Sequence, residues 1–458
     1  MSGKTIRDIL EEHRPPMFPH QAKAVETATT SDYAFIIRGA GSGKTRIGVE
    51  ILERNLSSNA LALWVCPAAL VEQAIQDFID NGLKASAYIQ NEDFPRGEVI
   101  VVSYDMLKNR VKEFTSVRWD VVIADEFHRT RTKGTIINEG IWYVRQKAKK
   151  FYTLTATPFN NREEELYELI SLTLGKDMVN KLKSSIKTVD KKPFFLYSLF
   201  KRLTTGEFAK SKTKSHVIFN KRKINKIIDQ FVDYIPQEEY MGFLKRPTPV
   251  SEIKKVEMSN EEIKEYINIR RSDSIPNKEI AYRTLLLGEG STKIKQAVKD
   301  IKNIFSNSEA RVLIFSNFVK SGISVLKSSL KAEGLSSEVF KGGMSGKERE
   351  EMGRRFQEGN IKILILSPAG FEGLNLKGAT HILVLDPHYN PAKTEQLVAR
   401  GLRAGTDIEK VYITHYCSVS SKRKLTTIDE KIFKTSKDKS KKNEALEDLI
   451  KRTKEKGK

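Results

Sequence analysis

The sequence of 458 residues predicts an α/β protein with two lobes, each built on a parallel β-sheet, and a helical region between them. Two observations lead to this prediction. Short apolar runs alternate with segments of helical periodicity from residue 33 to residue 155, and the alternation returns from residue 312 to residue 385. Most of the apolar runs in the first half end in a polar cluster. Because parallel strands end at one shared edge, these clusters are expected to meet at a ligand site.

The phosphate-binding element is predicted where the apolar run 33–37 enters a glycine-rich turn followed by a helix. In such a turn, backbone amides close around phosphate oxygens at the positive end of the helix. Lys44 is predicted to neutralise phosphate charge and Thr45 to bind Mg²⁺. The remaining loop residues predicted to hold the nucleotide are Gly39, Ala40, Gly41, Ser42 and Gly43. The strict pattern has glycine where this chain has Arg38, so an ordinary glycine-rich turn is the alternative.

The next elements extend the first sheet. A helix is predicted to begin at Pro19, and strands are predicted at 61–65, 98–102, 121–124 and 151–154. Asp125 and Glu126 directly follow the strand at 121–124. Nucleotide hydrolysis uses one carboxylate to hold Mg²⁺ and another to activate water, so we assign Asp125 to the metal through water and Glu126 to the general base. A surface turn or a helix cap is the alternative for such a pair.

The ordered set formed by Gln21, the glycine loop, the DEAH-type run Asp-Glu-Phe-His at 125–128 and Thr-Ala-Thr at 155–157 resembles the motifs of superfamily-two helicases and translocases. The stretches "DEFHRTRTKGT" and "LTATPFNNREEELYELI" resemble the Swi/Snf branch, whose motors track along double-stranded DNA. The resemblance implies two RecA-like lobes that use ATP and Mg²⁺. Arg38 departs from that branch, in which an acidic residue is usual.

The resemblance also implies roles for individual residues. Gln21 would read adenine. Coupling of the nucleotide to the second lobe is implied for His128, Thr155, Ala156 and Thr157. Contacts with the nucleic-acid backbone are implied in the first lobe for Cys66, Pro67, Ala68, Ser103 and Tyr104, and in the second lobe for Ser316, Asn317, Arg349, Ser367, Gly373 and Asn375.

The second half adds arginines to the predicted site. "SPAGFEGLNL" from Ser367 and "DPHYNPAKTEQLVARGLRAGT" from Asp386 are its most specific matches to the family. Gln396, Arg400 and Arg403 lie in the second of these, and we expect positions 400 and 403 to share one helix face. Arginines placed at the γ-phosphate stabilise transition-state charge. A solvated face or internal salt bridges are the alternative.

Composition indicates the partner. Lys and Arg number 79 against 58 Asp and Glu, a formal net charge of +21 that favours nucleic acid over a merely solvated lysine-rich surface once the motifs are considered. Cys66 and Cys417 are too few for a disulfide framework or a cysteine zinc site. No signal peptide or apolar run of ~18 residues is found. A soluble, non-secreted protein without membrane contact is expected, cytoplasmic or nucleoid-associated, or nuclear in a eukaryote.

The predicted organisation is a first lobe at 1–165, helical protrusions and linker at 166–290, a second lobe at 291–434 and a basic tail at 435–458. The predicted function is a nucleic-acid-stimulated ATPase that moves on double-stranded or branched DNA in replication, recombination or repair, similar in size to small bacteriophage-type helicases. An RNA helicase or transcript-release motor is one alternative. An ATP-gated nucleic-acid clamp without stepping is an alternative of another class. No protein partner is identified from the sequence.

Overall fold

The computed structural model describes residues 15–156 except 40 and 91, residue 165, residues 168–175, 231–235 and 239–240, residues 246–367 except 308 and 341, residues 376–438 except 390, 404, 423 and 424, and residue 440. The described residues fall into two compact units. The first ends at Tyr240 and the second begins at Arg246.

The first unit carries a seven-stranded sheet. Its strands are β1 (Tyr33–Ile37), β2 (Leu61–Cys66), β3 (Ala85–Ala87), β4 (Glu98–Ser103), β5 (Trp119–Ala124), β6 (Ala148–Thr155) and β7 (Val232–Tyr234), in the order β3-β4-β2-β5-β6-β1-β7 with every pairing parallel. Its helices are α1 (Pro19–Thr29), α2 (Lys44–Asn55), α3 (Val71–Asp80), α4 (Tyr104–Asn109), α5 (Val111–Ser116) and α6 (Ile136–Lys147). Short 3₁₀ turns lie at Ala68–Leu70 and Phe127–Thr130.

Both faces of this sheet are covered, as expected for parallel strands. Along β1, Phe35 and Ile37 enter one apolar core while Ala34 and Ile36 enter the other. All six residues of β2 are buried, so its continuous apolar run is that of a central strand. The carboxyl ends of β1, β2, β5 and β6 therefore share one edge, which places the polar residues that follow them close together.

The second unit carries a six-stranded sheet. Its strands are β8 (Thr248–Glu257), β9 (Val312–Phe315), β10 (Glu338–Phe340), β11 (Ile363–Leu366), β12 (His381–Val384) and β13 (Lys410–Val419), all paired in parallel in the order β10-β11-β9-β12-β13-β8. Its helices are α7 (Asn260–Arg271), α8 (Lys278–Leu287), α9 (Thr292–Asn307), α10 (Val325–Ala332), α11 (Gly346–Gln357) and α12 (Pro391–Gly401), with a π-helical turn at Val319–Ser324 before α10. Residues 428–438 are also helical.

The second sheet is likewise packed between two cores. Leu313 and Phe315 of β9 face one core, and Val312 and Ile314 face the other. Helix α11 begins at a capping box in which Ser345 Oγ accepts a hydrogen bond from the Glu348 amide over 3.3 Å. The α/β class with two parallel-sheet lobes is therefore confirmed.

The interval predicted as protrusions and linker, 166–290, contains one strand of each sheet. Strand β7 joins the first sheet beside β1, and β8 joins the second beside β13. The described part of the first unit thus extends past residue 165, and the second unit starts before residue 291. Strand β7 has only three residues, and β8 lies at a sheet edge with most of its side chains exposed, so neither shows a clear strand pattern in the sequence. Residues 176–230 of the interval predicted as protrusions and linker, and nearly all of the basic tail, lie outside the described residues.

Within the described ranges, no helix combines the length and apolar character that crossing a membrane requires.

Candidate active site

The glycine-rich loop that the sequence predicts to bind phosphate, called the phosphate loop below, connects β1 to α2, in the predicted order of strand, turn and helix. Gly41 and Gly43 have φ of 68° and 80°, a left-handed conformation that side chains other than glycine rarely adopt. Gly43 is the N-cap of α2, so Lys44 and Thr45 form its first turn. Lys44 Nζ lies 3.4 Å from the Arg38 carbonyl oxygen and 3.5 Å from that of Gly39. Ala40 is outside the described residues.

Helix α1 places Gln21 against this loop. Gln21 Oε1 accepts a hydrogen bond from the Phe18 amide over 3.0 Å, and Nε2 donates to the Ser42 carbonyl over 3.0 Å. His20 Nε2 lies 2.9 Å from the same carbonyl. A Cβ atom at Gly43 would be 2.3 Å from Gln21 Nε2, so any other residue here would displace the Gln21 amide, in addition to the strain set by φ. The residue predicted to read adenine is therefore held directly on the phosphate loop.

Arg38 has a structural role that the sequence did not reveal. Its side chain is fully buried and pairs with the buried carboxylate of Asp233 on β7. It donates to the carbonyls of Ile37 and Asp233, each over 2.9 Å, and to that of His20 over 3.1 Å. Burial lowers the pKa of Arg38, and the Asp233 charge opposes that effect. Arg38 thus joins the base of the loop to α1 and β7.

Tyr240 is a second residue that motif analysis missed. Its hydroxyl accepts a hydrogen bond from the Gly39 amide over 2.6 Å. Its ring stacks on that of His20 with the ring centroids 4.4 Å apart and the planes 22° apart. Tyr240 lies 201 positions from Gly39 along the chain, and no local pattern around it indicated a role at the loop.

The acidic pair follows β5 at the same sheet edge. The Asp125 amide donates to the Val65 carbonyl of β2 over 2.8 Å, and Asp125 Oδ1 accepts from the Glu126 amide over 2.8 Å. Glu126 has φ of 47°, and among the described residues it is the non-glycine residue with positive φ. Strain of this kind is retained where a side chain must be aimed, which fits the general-base assignment.

Glu126, His128 and Thr155 form one polar chain. His128 Nδ1 lies 3.2 Å from Glu126 Oε2 and 3.2 Å from Thr155 Oγ1. The residues predicted to couple hydrolysis to motion are thereby linked to the predicted base. Ala156 is half-buried beyond β6, and Thr157 is outside the described residues.

Thr45 and Asp125 are chemically suited to Mg²⁺. The ion prefers hard oxygen ligands and commonly uses one or two protein groups together with phosphate oxygens. A hydroxyl in the first turn of α2, which follows β1, and a carboxylate at the end of β5 supply such oxygens at the same edge of the sheet, with β6 between the two strands. In the part of the chain that the structure describes, no cluster of three or more His, Cys, Asp or Glu suggests a separate metal site.

Several residues predicted to touch nucleic acid in the first unit have buried side chains. Cys66 and Pro67 are buried at the end of β2, and Tyr104 is 1% exposed with its hydroxyl donating to the Asp125 carbonyl over 2.7 Å. Burial raises the pKa of Tyr104. The buried Tyr104 hydroxyl therefore holds the backbone of the acidic pair in place at Asp125. Ser103 is half-buried and caps α4 through the Met106 amide, and Ala68 is exposed.

In the second unit, too, some of the residues predicted to touch nucleic acid are buried or bonded to other protein groups. Ser316 and Ser367 are buried. Asn317 Nδ2 donates to Asp386 Oδ2 over 2.7 Å, and Arg283 of α8 donates to the same oxygen over 2.8 Å. Arg349 is half-buried and donates from Nε to the Met344 carbonyl over 3.0 Å. These side chains therefore organise the end of the sheet. Gly373 and Asn375 lie outside the described residues.

The arginine pair differs from the prediction in one respect. Gln396 and Arg400 lie on α12, but that helix ends at Gly401, so Arg403 follows the helix instead of sharing its face. A Cβ at Gly401 would lie 2.8 Å from Ile382 of β12, so the chain approaches the sheet closely where the helix ends. Gln396, Arg400 and Arg403 are all half-buried.

Two family descriptions match the chain. Residues 14–160 match "Type III restriction enzyme, res subunit", and residues 294–405 match "Helicase conserved C-terminal domain". A putative ATP-dependent RNA helicase of Acanthamoeba polyphaga mimivirus is 23% identical over 90% of this chain and 93% of its own length. The DNA repair and recombination protein RAD54 of Saccharomyces cerevisiae is 22% identical over 82% of this chain, which spans 46% of that relative.

Among solved structures, the SWI2/SNF2 ATPase core of Sulfolobus solfataricus in complex with double-stranded DNA is similar to this chain at 17% sequence identity. The match covers 89% of this chain and 88% of that structure, with a TM-score of 0.41.

Proposed function

We propose that the chain is a Swi/Snf-like helicase or translocase of superfamily two, and that it couples ATP hydrolysis to movement along double-stranded or branched DNA. The arrangement of the first unit supports the proposal most directly. Gln21 sits on the Ser42 carbonyl of the phosphate loop, and the chain from Glu126 through His128 to Thr155 lies at the carboxyl edge of the same sheet.

The proposed roles follow from the chemistry of each group. Lys44 and the loop amides bind phosphate oxygens, and Glu126 orients and deprotonates the attacking water. Thr45 and Asp125 would hold Mg²⁺, which neutralises phosphate charge when it is bound. His128 and Thr155, which contact Glu126 directly and through His128, transmit changes at Glu126 during hydrolysis to the rest of the protein. Arg400 and Arg403 are proposed to stabilise charge on the transferring phosphoryl group.

DNA is proposed as the partner for three reasons. The net charge of +21 provides a field that attracts phosphates, and the motif continuations resemble the Swi/Snf branch. RAD54, a relative over most of this chain, is named for DNA repair and recombination. Binding through phosphates should depend little on base sequence and strongly on salt. Replication, recombination or repair is the process proposed for this chain.

RNA is the second candidate partner, because the mimivirus relative that matches nearly end to end is named an RNA helicase. An ATP-gated clamp, which would bind and release without stepping, uses the same phosphate loop. The two candidates and the DNA translocase differ in what stimulates hydrolysis and in whether an obstacle is displaced.

The deciding experiment measures ATP hydrolysis at low salt with single-stranded DNA, duplex DNA, a fork, a four-way junction and duplex RNA. Stimulation by duplex or branched DNA, together with displacement of the third strand of a triplex, is expected. Stimulation by RNA alone would favour the RNA helicase. Slow turnover without third-strand displacement would favour the clamp. Hydrolysis indifferent to every DNA would overturn the proposal.

A further inference from the structure

Tyr240 lies at the base of the phosphate loop, although it follows β7 near the end of the first unit. It is fully buried, and its hydroxyl and its ring make separate contacts. The hydroxyl accepts the Gly39 N–H over 2.6 Å, and the ring stacks on His20 at 4.4 Å between centroids. Tyr240 therefore touches both the loop and the segment that carries Gln21.

The hydrogen bond from Gly39 acts on one defined peptide unit. The Gly39 N–H and the Arg38 carbonyl belong to the same trans peptide and point in opposite directions. Tyr240 Oη lies on the N–H side of that peptide. Lys44 Nζ lies 3.4 Å from the carbonyl on the other side. The tyrosine hydroxyl thus sets the orientation of the peptide that the phosphate-binding lysine contacts.

The surroundings hold Tyr240 in register with the loop. Strand β7 pairs in parallel with β1, with Tyr234 opposite Ile37, and Asp233 pairs with Arg38. Arg38 Nη2 also donates to the His20 carbonyl over 3.1 Å, and His20 stacks on Tyr240. Three segments of the chain, around residues 20, 38 and 240, therefore form one closed set of contacts beside the loop.

Two opposing effects on nucleotide binding follow. The first effect opposes binding: the fixed peptide supports the contacts of Lys44 with the loop carbonyls, and these contacts are lost when the ammonium group moves to a phosphate. The second effect favours binding, because the fixed peptide orders the loop before the nucleotide arrives. The Lys44 contacts of 3.4 and 3.5 Å are at the long limit for hydrogen bonds and are weak. Ordering a backbone residue during binding would cost more free energy than these weak contacts contribute. The favourable effect of ordering the loop in advance is therefore the larger one.

We infer that Tyr240 is a positioning residue for ATP, which acts by fixing the peptide between Arg38 and Gly39 and the stacked ring of His20. The inference rests on the proposed function, since it assigns the loop to ATP. It adds Asp233 and Tyr240 to the nucleotide site, beyond the loop, Gln21 and the acidic pair.

The test compares Tyr240→Phe with Tyr152→Phe. Tyr152 is a matched control because it is also fully buried in the first unit, and its hydroxyl donates to the Ser31 carbonyl over 3.0 Å. ADP affinity is measured by titration calorimetry, and kcat and KM for ATP are measured with saturating duplex DNA. Tyr240→Phe is expected to weaken ADP binding and to raise KM ~3- to 10-fold, the effect of one hydrogen bond, while kcat changes less than about 2-fold. Tyr152→Phe should leave the ADP affinity and both kinetic constants unchanged.

Hydrogen exchange gives a readout that does not depend on turnover. The Gly39 amide should exchange faster in Tyr240→Phe than in the wild type and in Tyr152→Phe, because its acceptor is removed. Equal ADP affinities in the two variants, with unchanged Gly39 exchange, would overturn the inference alone. A wild-type protein that binds no ADP would overturn the proposed function and the inference together. If Tyr240→Phe unfolds, hydrogen exchange of the nucleotide-free wild type gives the test: a protected Gly39 amide would support the inference, and a Gly39 amide that exchanges as fast as an exposed one would overturn it.

Discussion

Arg38 and Asp233, 195 positions apart in the chain, form a buried ion pair at the base of the phosphate loop. Removing one partner would leave an uncompensated buried charge. We expect Asp233→Ala to lower the free energy of unfolding of the first unit by about 3–5 kcal/mol, measured by urea unfolding. The double variant Arg38→Met, Asp233→Leu replaces the pair with apolar side chains and should recover most of the loss. A double variant as unstable as Asp233→Ala would show that the ion pair is not the cause.

Substitutions of Lys44 and Glu126 should block different steps, ATP binding and ATP hydrolysis respectively. Lys44→Ala removes the charge that binds phosphate, so ATP binding and DNA-stimulated hydrolysis should both be lost. Glu126→Gln keeps the shape of the side chain but removes the base, so hydrolysis should be lost while ATP binding persists. Lys149→Ala is a control for the loss of one positive charge, because Lys149 is an exposed lysine of the same unit that pairs with Asp120. Wild-type rates in either test variant would reject the assigned roles.

Gly43 should tolerate no side chain. In Gly43→Ala the new Cβ would meet Gln21 Nε2 at 2.3 Å with φ at 80°, so the loop and Gln21 cannot both keep their positions. ATP affinity should fall at least about 10-fold, since strain and the lost contact each cost about 1 kcal/mol or more. Gly134→Ala has a similar φ of 77° but meets nothing within 4 Å, and it should bind ATP normally. Calorimetric titration of both variants checks the comparison, and equal affinities would count against the close approach.

Arg400 and Arg403 are predicted to contribute to hydrolysis and not to folding. Arg403→Ala and Arg400→Ala should each reduce DNA-stimulated kcat by up to about 10³-fold, the scale of an arginine at a transferring phosphoryl group. Arg354 offers a matched control, because it is an exposed arginine of the same unit paired with Glu351 and Glu358. Arg354→Ala should keep the wild-type kcat. If all three variants behave alike, the arginine pair has no special role.

His415 should make the second unit sensitive to acid. Burial lowers the pKa of His415 below its ordinary value of 6.5, and the ring lies edge-on to Phe433 with the centroids 6.4 Å apart. The unfolded chain therefore takes up the proton more readily than the folded one. The stability that neutral His415 contributes is present above pH 6.5 and is lost as the pH falls below that value. Melting temperatures between pH 7.5 and 5.5 should fall less steeply for His415→Gln than for the wild type, and parallel curves would contradict this account.

The candidate site in the first unit could be predicted from the sequence only where its residues belong to short local patterns. The order of strand, glycine turn and helix located Gly39 to Thr45, and a carboxylate pair after an apolar strand located Asp125 and Glu126. Tyr240 and Asp233 had no such signal, because their contacts with Gly39 and Arg38 span 201 and 195 positions. Tyr104 and Ser316 follow strands as the motifs require, but the chain turns their side chains inward.

The α/β class, the two parallel sheets and the glycine-rich turn between β1 and α2 could be predicted from the sequence, since each depends on periodicity and spacing over short stretches. The three-dimensional structure was needed to show which residues after the strand ends face the core, that α12 stops before Arg403, and that β7 and β8 belong to different sheets. It also explained Arg38. In the sequence, Arg38 is only a departure from the glycine-loop pattern. Its burial is tolerated because it pairs with the Asp233 carboxylate, which a distant strand, β7, supplies.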